Sequence, residues 1–189
     1  MAEHLMETTL RTALWRQFGA AIAMLEHALL ACPSMLWNAH LWSDHSDPPQ
    51  SSEFAAFWSL THHTLFWLDL YLTGSLEAFA PPTPFTQDAF GPARVLPKQP
   101  YPKEELHAYL VQLRLKCQTT LLSLSDEQAH RQVAFPWRWW KPMSFFELQL
   151  YTLRHVQEHA AQLSLFLGQH GIPGEALDWV GQAQEEAGL

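Results

Sequence analysis

Two cysteines in 189 residues, Cys32 and Cys117, are too few and too far apart for a disulfide framework or a cysteine-based metal motif. They suit a reducing compartment, where thiols stay free. Basic residues are scarce as well. Eleven Lys and Arg, no two of them adjacent, face nineteen Asp and Glu, for a formal net charge of −8. A surface that tracks phosphates needs clustered cations, so no nucleic-acid partner is expected. Long apolar runs are missing too. The best stretch, 18–32, is broken by Glu26 and His27, and no membrane span is expected. The N-terminus carries acids early and lacks the basic-then-apolar order of a signal peptide. A cytoplasmic protein is the expectation. No internal repeat and no low-complexity segment is found.

What the chain does have is apolar and aromatic bulk. Hydrophobic residues make up 48%, and nine Trp and eleven Phe lift the aromatic content to 13%. That is the composition of a folded protein with a large core or a buried apolar pocket. The length predicts a single domain over 1–189.

Periodicity predicts an all-α fold. Leu10, Leu14, Phe18, Ile22, Leu25 and Leu29 recur every three or four positions and give a first helix over 5–31 one apolar face. Pro33 ends it, and 34–52 is a connection in which LWNAHLW is apolar enough to pack down on the body. A second helix is expected from about Ser52 to Gly74, with Ser51 or Ser52 capping it and Glu53 in its first turn. Between Leu60 and Leu72 it is apolar on nearly all sides, the mark of a central helix. Residues 78–102 hold seven of the thirteen prolines and no periodicity. They read as a long crossover loop.

A third helix over 102–122 turns Leu106, Leu110, Leu113, Cys117 and Leu121 inward. A short helical turn follows from Ser125 to about Arg131, and 133–143 is extended or hairpin-like. Ser144 and Glu147 form a capping-box pair at the head of a fourth long helix that runs to about His170. Gly171 and Pro173 stop it. A last short helix, within 175–189, is expected to lie on the outside. Four long helices with a crossover loop predict a four-helix bundle.

Within that frame the histidines carry the chemistry. His155 and His159 stand four apart, so a helix places both on one face with Cβ atoms roughly 5–6 Å apart. Such a pair can hold one divalent ion, or it can simply make hydrogen bonds on a helix flank. The second helix offers His62 or His63 in apolar surroundings, where an imidazole needs a partner. Three imidazoles with an open fourth position suit zinc, nickel, iron or similar ions. Asp69 could orient a histidine or sit at an exposed helix edge. His40 and His45 read as solvated loop residues.

The segments HHTLFWLDLYL and LRHVQEHAAQLSLFLGQHG resemble the two metal-bearing helices of the DinB-like (DNA-damage-inducible) superfamily. The resemblance covers nearly the whole chain in helix order and spacing, and HxxxHxxQ is its most specific part. It implies a four-helix bundle in which His63, His155 and His159 bind a divalent metal, zinc or nickel first, with iron or manganese as alternatives. Gln162 matches the glutamine after the pair and is expected to pack or to support a ligand. The adjacent histidines are a departure, and the resemblance favours His63 over His62.

It also implies a homodimer, and members that are thiol-dependent transferases or isomerases using a low-molecular-weight thiol such as bacillithiol or mycothiol. The expected function is therefore a metal-dependent transferase or hydrolase acting on a small molecule. The alternatives are a metal-binding or stress-response protein without turnover, and a metal-free interaction module. Catalytic groups are not identified. Glu147 and Tyr151 share the face of His155, Glu158 points elsewhere, and Glu147 reads first as a helix cap. Trp137, Trp139 and Trp140 read as core, or as a wall for an apolar substrate.

Overall fold

Apolar positions at helical spacing bury themselves against one another through most of the chain. In the computed structural model, which describes residues 2–43, 52–87, 97–137, 141–174 and 181, the elements are almost all helical. Helix α1 spans Ala2–Ala31, α2 Phe57–Thr73, α3 Lys103–Leu122, α4 Asp126–His130 and α5 Phe145–Gln169. The strand content among the described residues is one antiparallel pair, β1 (Gln132–Val133) with β2 (Met143–Ser144). The all-α class expected from the periodicity is what forms.

The buried stripe of α1 begins at Leu14 and continues through Phe18, Ile22, Leu25 and Leu29; Leu10 stands 58% exposed. Periodicity reports which face is apolar, not how far that face is covered. Helix α1 packs on α3 and α5, and α2 packs on the same two helices. The inner face of α3 is the expected Leu106, Leu110, Leu113, Cys117 and Leu121. In α2 every residue but His63, Trp67 and Thr73 is buried, as its all-round apolar sequence requires.

Side-chain contacts give the helix directions. Phe57 meets Phe166, His63 meets His155, and Gln149 donates a 3.0 Å hydrogen bond to the Tyr71 carbonyl, so α2 and α5 run antiparallel. Asp69 and Thr73 meet Tyr109 and Lys116, so α2 and α3 run the same way. The described parts of the segment between them, 74–87 and 97–102, lie along α2. Phe79 packs on Phe66, Phe85 on His62, and Tyr101 on Trp58.

Two helix starts differ in how well local sequence marks them. Ser144 caps α5 as expected, accepting from the Glu147 amide at 3.2 Å while the Glu147 carboxylate accepts from the Ser144 amide at 2.8 Å. The start of α2 is a correction. Residues 52–55 form a 3₁₀ turn, Ala56 is extended, and the helix begins at Phe57. The cause lies elsewhere in the chain. The 39–41 backbone pairs with 55–57 through Leu41 N to Ala55 O and Phe57 N to Ala39 O, both 2.9 Å, and holds Ala56 extended. The LWNAHLW segment does pack down, with Trp37 buried against Phe57.

At the other end, Gly74 closes α2 at φ 66°. A Cβ there would come within 2.8 Å of the Phe145 ring, so glycine serves both the turn and the approach of α5.

Two polar networks tie α3 to its neighbours. Buried Glu26 of α1 bonds Arg114 and, at 2.9 Å, His107. Burial pushes its carboxyl upward, but those two partners outweigh it and hold it below the ordinary range. Asp69 of α2 accepts from the Tyr109 hydroxyl at 2.6 Å and from Lys116 Nζ at 2.5 Å. It is therefore neither an exposed edge nor a partner for a histidine. His45, Trp139, Trp140 and, apart from residue 181, the expected helix within 175–189 lie outside the described residues.

Candidate metal centre

Adjacent residues on a helix point about 100° apart, so His62 and His63 must separate. His62 turns into the core. Its ring stacks on Phe85 at 5.3 Å and meets Tyr101 edge-on at 4.7 Å, and burial pushes its imidazole down to about 3. His63 turns toward α5. There His155 and His159, one turn apart, present their rings to it.

The three imidazoles converge through their Nε2 atoms. His63 Nε2 lies 3.2 Å from His155 Nε2, and His159 Nε2 lies 3.1 Å from the same atom. One ligand nitrogen from each residue falls within 4.8 Å of the other two, and all three residues are half-buried. Nitrogens bound at about 2.0–2.1 Å to one tetrahedral ion are about 3.3 Å apart, and neighbouring ones in an octahedron about 2.9 Å. The two short edges fall between these values, so the spacing accommodates a divalent ion without choosing the coordination number.

Burial is the main influence on their charge. It lowers His63 well below the ordinary histidine value, helped by His155, His159 and His62. Burial and the neighbouring His159 push His155 down to about 3. His159 is lowered by burial against the opposing pull of Gln162 and Glu158. All three are neutral at pH 7, the charge state a metal requires.

The outward nitrogens test the fit one ring at a time. His159 Nδ1 donates to Gln162 Oε1 at 2.8 Å. An amide oxygen can only accept, so the proton stays on Nδ1 and the Nε2 lone pair faces the centre. His155 Nδ1 is buried with no hydrogen-bond partner among the described residues. His63 is the exception. The Trp67 indole N–H points at its Nδ1 from 3.2 Å. With that bond made, neutral His63 keeps its proton on Nε2, directed at His155. Two rings thus present an Nε2 lone pair, and the third would do so once the indole releases Nδ1 or the Nε2 proton leaves. The donor set fits a divalent metal.

Around the centre, some of the expected neighbours are in place and others lie apart. Tyr151 stacks on His155 at 6.4 Å and shares a hydrogen bond with Tyr71, which helps raise the Tyr71 hydroxyl above its ordinary range beyond the larger effect of burial. Glu147 is exposed and bound to Ser144 as a cap. Glu158 is exposed, and His40 lies apart in the pairing with Ala56. Trp67 was missed, although its place one turn after His63 was the available signal. Trp137 packs on Trp67 at 5.2 Å. No helix among the described residues is long and apolar enough to cross a membrane.

The chain matches no family model, no curated protein and no solved structure.

Proposed function

We propose that this chain is a divalent-metal-binding protein of the DinB-like kind, with His63, His155 and His159 as its ligands and zinc or nickel as the metal. The observation that carries the reading is the convergence of three Nε2 atoms from two helices, with edges of 3.1 and 3.2 Å. The helix directions support a four-helix bundle with 78–102 as its crossover. The two buried, unlinked cysteines suit a cytoplasmic protein. Exposed Val111 and Leu115, one turn apart on α3, offer an apolar strip for a homodimer.

On this reading the protein is a metal-dependent transferase or hydrolase of a small molecule, with a low-molecular-weight thiol as a candidate co-substrate. A bound ion would supply a Lewis acid that polarises an oxygen or sulfur donor at its open position. The chain's own part is to hold the ion on three neutral imidazoles and to fix His159 through Gln162. One observation favours a second reading, metal binding without turnover. The candidate acid and base groups on α5 are engaged or turned away: Glu147 caps α5, Tyr151 bonds Tyr71, and Glu158 is exposed.

Metal analysis of the purified protein tests the proposal. One equivalent of zinc or nickel is expected, with a rise in Tm on adding metal. His63→Ala, His155→Ala and His159→Ala each lose it, and His62→Ala keeps it. Less than about a tenth of an equivalent with no gain in Tm rejects the site. Azide added to cobalt-loaded protein separates the two readings: a changed visible spectrum marks an open position, and an unchanged one favours the structural role.

A further inference from the structure

The histidines are bordered by a group of rings on one side. Trp67 follows His63 by one turn of α2, and Tyr151 precedes His155 by one turn of α5. Because the two helices are antiparallel, both rings fall on the same side of the Nε2 cluster. The Trp67 ring centre is 6.1 Å from that of His63. The Tyr151 ring lies 6.4 Å from His155 with its plane only 19° from parallel. Trp137, from the segment joining β1 to β2, meets Trp67 edge-on at 5.2 Å and rests on Phe135 at 4.6 Å.

The rings behind this row, Phe66, Tyr71 and Phe135, are buried, whereas Trp67, Trp137 and Tyr151 keep part of their surface in water. Large rings left half-covered beside a cluster of ligand nitrogens make an apolar wall for whatever binds there.

Charge sets the other half of the ligand. Three neutral imidazoles leave the full charge of a divalent ion uncompensated, so the open position favours an anionic donor. That same charge disfavours a cation, the usual guest of an aromatic cage. At the outer edge the Arg154 guanidinium lies 5.8 Å from the Tyr151 ring centre and adds a second positive charge.

We infer that the centre takes a small anionic ligand whose donor atoms go to the metal and whose flat apolar body lies against Trp67, Trp137 and Tyr151. This rests on the metal reading above.

Calorimetric titration of zinc-loaded protein with acetohydroxamate and benzohydroxamate tests it. The two probes share one donor group and differ in a methyl against a phenyl. Benzohydroxamate is expected to bind about tenfold tighter, the effect of removing on the order of 60 Å² more apolar surface from water. Trp137→Ala should bring the two within about twofold while acetohydroxamate affinity and zinc content stay the same. Trp137→Phe should keep most of the preference. With zinc bound, equal affinities in the wild type overturn the inference. So does a preference unchanged in Trp137→Ala, or a variant that weakens both probes alike. Failure to bind zinc at all overturns the metal reading instead, and this one with it.

Discussion

His159 Nδ1 lies 2.8 Å from the side-chain oxygen of Gln162, three residues further along α5. That bond decides which nitrogen of the ring is free, and it does so with a neutral group that adds no charge to the centre. Gln162→Leu keeps the bulk and removes the acceptor. Metal affinity is expected to fall about 10- to 100-fold, read by competition with a chromophoric chelator. An unchanged affinity would reduce Gln162 to packing.

Trp67 acts in the opposite sense on His63. Its N–H occupies Nδ1 and keeps the proton on Nε2, the nitrogen that faces His155. Trp67→Phe removes the donor and leaves a ring in place. Loss of one neutral hydrogen bond of about 1 kcal/mol that favours the metal-free form predicts a several-fold gain in affinity. The same titration checks it, and a large loss would show that the indole holds His63 in place rather than competing with the metal.

Acid should destabilise the metal-free protein. His62 and His155 are pushed down to about 3 when folded, burial being the main cause, against an ordinary 6.5. Between those values the unfolded chain takes up protons that the folded chain refuses, so stability falls as pH drops from about 6.5 toward 3. Each imidazole contributes up to about 1.4 kcal/mol per pH unit in that window. Urea unfolding of metal-free protein should show a lower midpoint at pH 5 than at pH 7. A midpoint that rises instead would mean the buried imidazoles carry charge in the fold.

Asp69 belongs to the helix interface, not to the metal centre. It is 5% exposed and accepts from both Tyr109 and Lys116. Asp69→Ala leaves the buried Tyr109 hydroxyl without its acceptor, while Lys116 keeps Thr73, and is expected to cost about 2 kcal/mol of stability. Zinc content of the folded variant should be unchanged. Loss of metal at full stability would place Asp69 with the histidines after all.

Glu147 should prove to be a cap. Hydrogen bonds from Ser144 hold its carboxyl below the ordinary value. Ser144→Ala is expected to cost about 1 kcal/mol, and Glu147→Gln to lower Tm slightly, with metal content intact in both. If a metal-dependent turnover is found, Glu147→Gln should leave it unaltered.

The helices and the histidine pair were legible because each rests on local spacing. The Ser144 capping box is a four-residue pattern, and His155 and His159 need nothing beyond one turn of helix. Apart from Trp67, which stands one turn from His63, the misses are long-range. Ala56 is extended because residues 39–41 pair with it, and Asp69 is buried because Tyr109 and Lys116 stand 40 and 47 positions away. No window of sequence holds both partners. Which of His62 and His63 faces α5 depends on the rotation of α2, which the almost continuous apolar run around them does not set.

His63 and His155 are 92 positions apart. Anything bound between them ties the first half of the chain to the second, as a cross-link would. On a chain-entropy model, closing a loop of that size removes about 4–5 kcal/mol of freedom from the unfolded ensemble. Two of the three nitrogens also belong to α5, which is synthesised after α1, α2 and α3. The centre therefore assembles late, and an ion held there marks a chain whose helices have already come together.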